Sequence, residues 1–155
     1  MNPEFMRAAI RVAREHLLAG EGGPFGAIVV RKDDVVGEGW NRVTSALDPT
    51  AHAEVEAIRA ACRRLGDFRL AGCDIYATCE PCPMCLAACY WARLDRIYFA
   101  GTREDAAAAG FDDAAIYHEI TLAPWVRRLP AERLLAEEGL ELFRLWREKA
   151  DRVPY

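Results

Sequence analysis

Residues 79–91 read CEPCPMCLAACYW, and they contain four of the chain's six cysteines, at positions 79, 82, 85 and 89. The preceding segment, Cys73–Thr78 (CDIYAT), predicts a β-strand, and Pro83–Ala92 predicts a helix with proline in its first turn. The stretch therefore predicts a strand, a turn and a helix of a layered α/β fold, with cysteines gathered at the turn.

The cysteine spacing C-x2-C-x2-C-x3-C is also that of bacterial ferredoxins, which hold iron–sulfur clusters. Two features of the sequence argue against a cluster. Cys89 is followed by Tyr90 rather than proline, and only Cys62 and Cys73 remain outside the run. On a helix that starts at Pro83, Cys89 lies one turn after Cys85, whereas a cysteine at the end of the strand would point elsewhere. We therefore expect a different metal.

A histidine thirty residues upstream completes a set of zinc ligands. His52, Cys82 and Cys85 offer one imidazole and two thiolates, and the start of a helix favours the thiolates. Three protein ligands leave a position for water, as in catalytic zinc sites, whereas Cys79 as a fourth ligand would make a closed structural site. Glu54, two residues after the histidine, can move a proton to and from a reacting group. The pattern favours a catalytic zinc.

The segments around this core predict an α/β domain. A helix from Asn2-Pro3 to Gly20 precedes a hairpin of strands Phe25–Arg31 and Val35–Trp40. A helix from about Ala51 to Leu65 follows, with Thr50 as its N-cap and Gly66 as its C-cap, and Arg96–Ala100 predicts another strand. The last fifty residues predict short helices over Asp105–Ala109 and Ala114–Tyr117 and a final helix over Leu140–Ala150, and Ala131–Leu140 is helical by propensity.

The composition is that of one ordinary globular domain. The chain has 155 residues, 52% hydrophobic and 28% charged, with a formal net charge of −4. A basic tail is absent, which argues against a nucleic-acid partner, and residues 1–10 lack the apolar core of a signal peptide. No apolar run is long enough for a membrane helix, so we expect a cytoplasmic protein whose thiols stay reduced.

The motifs resemble a known family. His-Ala-Glu at 52–54 and Pro-Cys-Pro-Met-Cys at 81–85 match the H-x-E…P-C-x-x-C signature of the cytidine-deaminase-like zinc deaminases. Further segments resemble one branch of them, the bacterial guanine deaminases: GGPFGAIVV at 22–30, residues 41–62, YWAR at 90–93, AGFDDAAIYHEI at 109–120, and the terminal Tyr155.

The resemblance implies a three-layer α/β fold with a mixed five-stranded sheet flanked by helices. It implies a single deaminase domain over residues 1–155. It also implies a homodimer whose subunits exchange their C-terminal segments, from about residue 120, and each segment would contain a short strand near 128–135. Zn²⁺ would be the cofactor, held by His52, Cys82 and Cys85, and Glu54 would be the proton shuttle.

The resemblance also implies the residues of a purine pocket: Phe25, Asn41, Ala53, Trp91 and Asp113, with Tyr155 as a cap from the partner subunit. Such residues suit guanine, because a phenyl ring can stack on the base, an amide can bond ring nitrogens, and a carboxylate can accept from N–H groups. Each has a structural alternative: Phe25 and Trp91 could be packing residues, Asn41 a turn residue, and Asp112 and Asp113 a helix cap.

The expected reaction is the zinc-dependent hydrolysis of guanine to xanthine and ammonia. A tRNA adenosine deaminase would share this chemistry but would need a basic surface for its RNA. Nucleoside and triazine deaminases also remain open, as does a non-catalytic zinc module. The sequence alone does not distinguish between guanine, guanosine and ammeline as the substrate. It also does not decide whether Asp112 or Asp113 contacts the substrate.

Overall fold

The chain divides into two compact units, residues 1–113 and 114–155. The structure is a computed structural model, and it describes residues 2–154. The first unit contains a sheet with helices, and the second is helical. None of the helices in the described part of the chain is long and apolar enough to cross a membrane.

The sheet has four strands in the described residues: β1 (Gly26–Arg31), β2 (Asp34–Trp40), β3 (Cys73–Cys79) and β4 (Arg96–Gly101). Their order is β2-β1-β3-β4; β1 runs antiparallel to both neighbours, and β3 and β4 are parallel. The α/β class and the mixed sheet are confirmed. The expected fifth strand is not, since residues 128–135 join no strand ladder and Pro130 has no N–H to contribute to one.

The helices mostly begin and end within a few residues of the predicted positions. The first unit contains α1 (Pro3–Leu18), α2 (Val43–Ala46), α3 (Ala53–Leu65), α4 (Pro83–Trp91) and α5 (Arg103–Ala108). The second contains α6 (Ala114–Thr121) and α7 (Ala136–Glu148), with a 3-10 turn at Pro124–Val126 between them. The short helix α2 was not predicted, and of the propensity-helical region 131–140 only the part from 136 is helical.

The first unit has three layers. On one face of the sheet, α1 places Ala9 against Ile28 and Val30 of β1. On the other face, α3 and α4 pack on Ala27 and Val29. Residues 26–30 of β1 are therefore buried whichever way they point, which explains the continuous apolar run of this central strand; only Arg31 at its end is exposed.

Two glycines of β2 allow α3 to approach the sheet closely. A Cβ on Gly37 would lie 2.4 Å from the carbonyl oxygen of Ala57, and a Cβ on Gly39 would lie 2.3 Å from that of Ala53. No larger residue fits at either position without moving the helix. Gly39 thus sets the height above the sheet at which α3 begins.

The start of α3 differs from the prediction. His52, not Thr50, occupies its N-cap position. Asp48 explains the difference, because its carboxylate accepts hydrogen bonds from both the N–H and the hydroxyl of Thr50, each at 2.7 Å. The threonine is thereby held in a local turn before the helix. The predicted C-cap is confirmed, since Gly66 adopts φ +67° there.

Candidate metal centre and catalytic cavity

A cavity of about 610 Å³ opens in the first unit, beside the last residue of β3. Its wall comes from four parts of the chain: the loop before β1, the segment from the end of β2 to the start of α3, the turn before α4, and the region from α5 to Asp113. Most of the predicted site residues line it: Phe25, Asn41, His52, Ala53, Glu54, Cys82 and Asp113.

The three predicted metal ligands meet at two helix N-termini. His52 is the N-cap of α3, Cys82 is the N-cap of α4, and Cys85 lies in the first turn of α4. Nδ1 of His52 lies 3.6 Å from Sγ of Cys82 and 3.5 Å from Sγ of Cys85. The three ligand atoms all lie within 4.8 Å of one another. One imidazole and two thiols at this separation suit zinc.

The electrostatics of the three side chains favour one thiolate. A hydrogen bond from Cys85, together with one from His52, lowers the pKa of Cys82 to about 4. The same bond to Cys82, and then burial, raises the pKa of Cys85. The hydrogen bond to Cys82 also raises the pKa of His52. Cys82 is therefore the member of the cluster that is favoured as a thiolate.

Glu54 is the carboxylate beside this cluster. Its exposed fraction is 7%, although it is charged in water, and burial raises its pKa. A side-chain hydrogen bond links it to Cys85, and Glu54 also lines the cavity. A buried carboxyl group that is pushed toward its neutral form can both take up and return a proton, which is what acid–base catalysis requires.

The remaining cysteines of the run do not join the group. Sγ of Cys79 donates to the carbonyl oxygen of Thr102 at 3.5 Å, which turns the thiol away from the other two. Cys89 is buried in the core on α4, and burial raises its pKa to about 12. Among residues 2–154, three ligands are clustered rather than four, the number that leaves a position open for water.

Asn41 forms the polar part of the opposite wall, with an exposed fraction of 9%. Its Oδ1 accepts from the backbone N–H groups of Gly23 at 3.2 Å and Val43 at 3.3 Å. Both lone pairs of the oxygen are therefore used. The carboxamide NH₂ is the part left for a ligand, so Asn41 offers a hydrogen-bond donor.

The aromatic part of the wall is a pair of phenylalanines. Phe25 and Phe111 meet edge to face, with ring centroids 4.9 Å apart, and both line the cavity. Phe25 was predicted, but Phe111 was missed, although it directly precedes the aspartates that drew attention to its loop. Such a contact over 86 positions of sequence gives no local signal that could have identified it.

Two carboxylates lie next to Phe111. Asp112 and Asp113 both line the cavity, and burial raises the pKa of Asp113, with the charge of Cys82 contributing. Glu80 lines it too and was not predicted as part of the pocket. Its carboxylate accepts from the N–H of Arg103, the first residue of α5, so it ties the cysteine turn to the helix that precedes the aspartates.

Of the predicted pocket residues that the structure describes, Trp91 is not among those that line this cavity. Trp91 is the last residue of α4, and its exposed fraction is 62%. Tyr155 lies outside the described residues. The roles predicted for both remain predictions.

The fold and this cluster together define a zinc-dependent enzyme: a buried carboxylate stands beside two cysteines and a histidine, at helix starts that face a cavity. The model of the family described as "Cytidine and deoxycytidylate deaminase zinc-binding region" matches residues 1–101. The chain belongs to this family.

One relative matches the whole chain, and another matches about three fifths of it. The guanine deaminase of Bacillus subtilis (strain 168) is 47% identical over 156 residues, which cover 100% of both chains. A tRNA-specific adenosine deaminase of Aquifex aeolicus (strain VF5) is 42% identical over 96 residues, which cover 62% of this chain and 63% of that one.

Two solved structures resemble the fold of this chain to different degrees. The X-ray structure of guanine deaminase from Bacillus subtilis superposes with a TM-score of 0.97, over 100% of this chain and 99% of that one. A structure of guanine deaminase from Nitrosomonas europaea is 27% identical, with a TM-score of 0.67 over 89% of this chain and 70% of that one.

Proposed function

We propose that this chain catalyses the hydrolytic deamination of guanine to xanthine and ammonia. The observation that carries the proposal is the buried Glu54 beside the cluster of His52, Cys82 and Cys85, in a cavity with an aromatic and an amide wall. Full-length similarity to a guanine deaminase supports this substrate over others of the family.

In this proposal, His52, Cys82 and Cys85 hold the zinc ion, which when bound supplies the activated water that hydrolysis needs. Glu54 accepts the proton of that water as a carboxylate. It passes that proton to ring N3 of guanine while the water oxygen bonds to C2. It then takes the second proton from this oxygen and gives it to the amino group on C2, which leaves as ammonia as its bond to C2 breaks. One water is consumed, and its oxygen becomes the carbonyl of xanthine.

The cavity walls would select the base. The NH₂ of Asn41 donates to an acceptor on the ring, because its oxygen is already bonded to two backbone groups. Asp113 accepts from N–H groups of the base, Phe25 covers a face of the ring, and Ala53 fills the wall between His52 and Glu54. Guanine presents both acceptors and N–H donors on its edges, so it uses both kinds of group.

The C-terminal segment would complete the site from a second subunit. We infer a homodimer in which the segment from about residue 120 is exchanged, so that the whole chain acts as one deaminase domain and Tyr155 caps the purine of the partner. Large apolar side chains exposed on α6 and α7, such as Ile120, Leu142 and Phe143, support a role of this segment in association.

Complementation tests the exchange. A chain with Glu54→Gln and a chain lacking Tyr155 would each be inactive alone, and mixed dimers would regain up to one working site in two. Mixtures that dimerise, by light scattering, without regaining activity would place Tyr155 in its own subunit's site and contradict the exchange.

The decisive test of the reaction is ammonia release from a panel of guanine, guanosine, ammeline, adenine and tRNA, with zinc-loaded protein and with chelator. We expect steady release from guanine that the chelator abolishes. No release from guanine would refute the substrate, and full activity of Glu54→Ala would refute the mechanism.

A tRNA-specific adenosine deaminase is the second candidate, because such an enzyme is 42% identical over 96 residues. The net charge of −4 argues against an RNA partner. Binding of tRNA that weakens steeply with salt, together with inosine formation, would favour it. Six free cysteines agree with the reducing cytoplasm, where we propose that the enzyme acts.

A further inference from the structure

The end of α1 is tied to the cavity wall through His16. Its imidazole stacks on the indole of Trp40, with ring centroids 3.5 Å apart and planes within 2°. Its Nδ1 donates to Oε2 of Glu21 at 2.7 Å, since a carboxylate oxygen can only accept. One side chain therefore contacts two separate segments of the chain, the end of β2 and the loop after α1.

These two segments meet at Asn41. Trp40 directly precedes it, and Glu21 directly precedes the Gly22-Gly23 loop, whose Gly23 N–H holds the Asn41 oxygen at 3.2 Å. A Cβ on Gly22 would lie 1.8 Å from the carbonyl oxygen of Asn41, so the loop backbone lies directly against this residue. The position of the loop therefore sets the rotation of the Asn41 carboxamide.

Trp40 contributes its ring faces rather than its polar atom. Its indole Nε1 is buried and has no hydrogen-bond partner within residues 2–154, which is costly for a donor. The guanidinium carbon of Arg42 also lies 5.7 Å from its ring centroid. Trp40 is therefore kept at this position although its donor is unpaired, which indicates that its role is to stack against His16.

We propose that His16, Glu21 and Trp40 form a clamp, here called the His16 clamp, that orients Asn41 toward the purine. His16 is a positioning residue in this proposal: it acts through the 21–23 loop and Trp40, and it does not touch the substrate. The proposal rests on the proposed function in one respect, that Asn41 binds the base.

Single substitutions separate the two contacts of the clamp. His16→Phe keeps a ring to stack on Trp40 but removes the donor to Glu21, and Glu21→Ala removes the acceptor. We expect each to raise KM for guanine roughly three- to tenfold, the value of one hydrogen bond, with kcat changed by less than about twofold and zinc content unchanged. Glu21→Gln keeps an acceptor and should restore most of the affinity.

The double variant and a control test specificity. His16→Phe with Glu21→Ala should be no weaker than either single variant, because both remove the same interaction. Glu4→Ala removes a carboxylate that pairs with Arg7 at the other end of α1, and it should leave KM unchanged. If His16→Phe lowers kcat and zinc content by factors as large as the rise in KM, His16 is merely a structural residue and the proposal is wrong.

A readout without substrate keeps the clamp separate from the reaction. Hydrogen–deuterium exchange of the 20–25 segment in zinc-loaded protein should be faster in His16→Phe and Glu21→Ala than in the wild type and in Glu4→Ala. Unchanged exchange together with unchanged KM would overturn the clamp. A wild-type protein without guanine turnover would refute the proposed function instead, and the exchange rates would still decide for or against the clamp.

Discussion

Gly39→Ala should move the start of α3 and with it the catalytic carboxylate. The new Cβ would lie 2.3 Å from both the carbonyl oxygen of Ala53 and the N–H nitrogen of Ala57. Ordinary contacts begin near 3.4 Å, so the helix must retreat by about 1 Å. Such overpacking costs about 1–3 kcal/mol of the free energy of unfolding, or a melting temperature lower by roughly 2–4 °C per kcal/mol.

The same displacement acts on the chemistry. Ala53 lies between His52 and Glu54, and a shift of about 1 Å in a reacting geometry can cost on the order of a hundredfold in rate. We therefore expect Gly39→Ala to lower kcat/KM for guanine far more than its stability loss explains. The measurements are thermal unfolding, zinc content and steady-state ammonia release at a temperature where every variant is folded.

Two other glycines provide matched comparisons. Gly37→Ala meets the same helix one turn later, at 2.4 Å from the carbonyl oxygen of Ala57, so it should cost similar stability with a smaller loss of activity. Gly101→Ala meets its nearest atom at 3.5 Å and should cost little of either. If Gly39→Ala and Gly37→Ala lose stability and activity in the same proportion, the idea that Gly39 positions Glu54 is wrong.

Three further predictions concern the metal centre and its neighbours. Glu54→Gln should keep its zinc, by metal analysis, and lose about 10²- to 10⁴-fold in kcat; loss of zinc would mean that Glu54 is a ligand. Cys79→Ser should retain one zinc per chain, because the Cys79 thiol is hydrogen-bonded to the Thr102 carbonyl oxygen. A variant that binds no zinc would show that Cys79 is a fourth ligand. After zinc is removed, iodoacetamide at pH 6 should label Cys82, whose pKa is lowered to about 4, and not Cys89, whose pKa is raised to about 12. Mass spectrometry of the peptides identifies the labelled cysteine, and labelling of Cys89 without Cys82 would contradict the prediction.

The metal cluster was predictable from sequence because its geometry is local. His-x-Glu and Cys-x-x-Cys each fix the spacing of two side chains at the start of one helix, and an α/β fold brings such helix starts to one edge of a sheet. Only the pairing of the two helices is long-range, and the strands Cys73–Cys79 and Asp34–Trp40 were recognisable from their apolar patterns. The structure brings His52 to within 3.6 Å of both cysteine sulfurs.

The errors occurred where a distant or competing partner decides the outcome. Thr50 has the side chain of a good N-cap, but the neighbouring Asp48 captures it. The expected strand at 128–135 depends on a neighbouring strand that local sequence cannot supply. Phe111 meets Phe25 in the cavity wall, and His16 stacks on Trp40 and bonds to Glu21 behind that wall. The sequence alone revealed none of these contacts.

The positions of His52 and Cys82 have a consequence for engineering more stable variants. Both are N-cap residues, and neither makes the side-chain hydrogen bond to its helix that Ser, Thr, Asp or Asn would make there. Each forgone cap corresponds to about 1 kcal/mol of stability. A search for stabilising substitutions by cap preference alone would include these two positions, and would remove the metal ligands while improving the helices. His52 and Cys82 contribute little to the stability of their helices as N-caps, yet both should be left unchanged because they are the metal ligands.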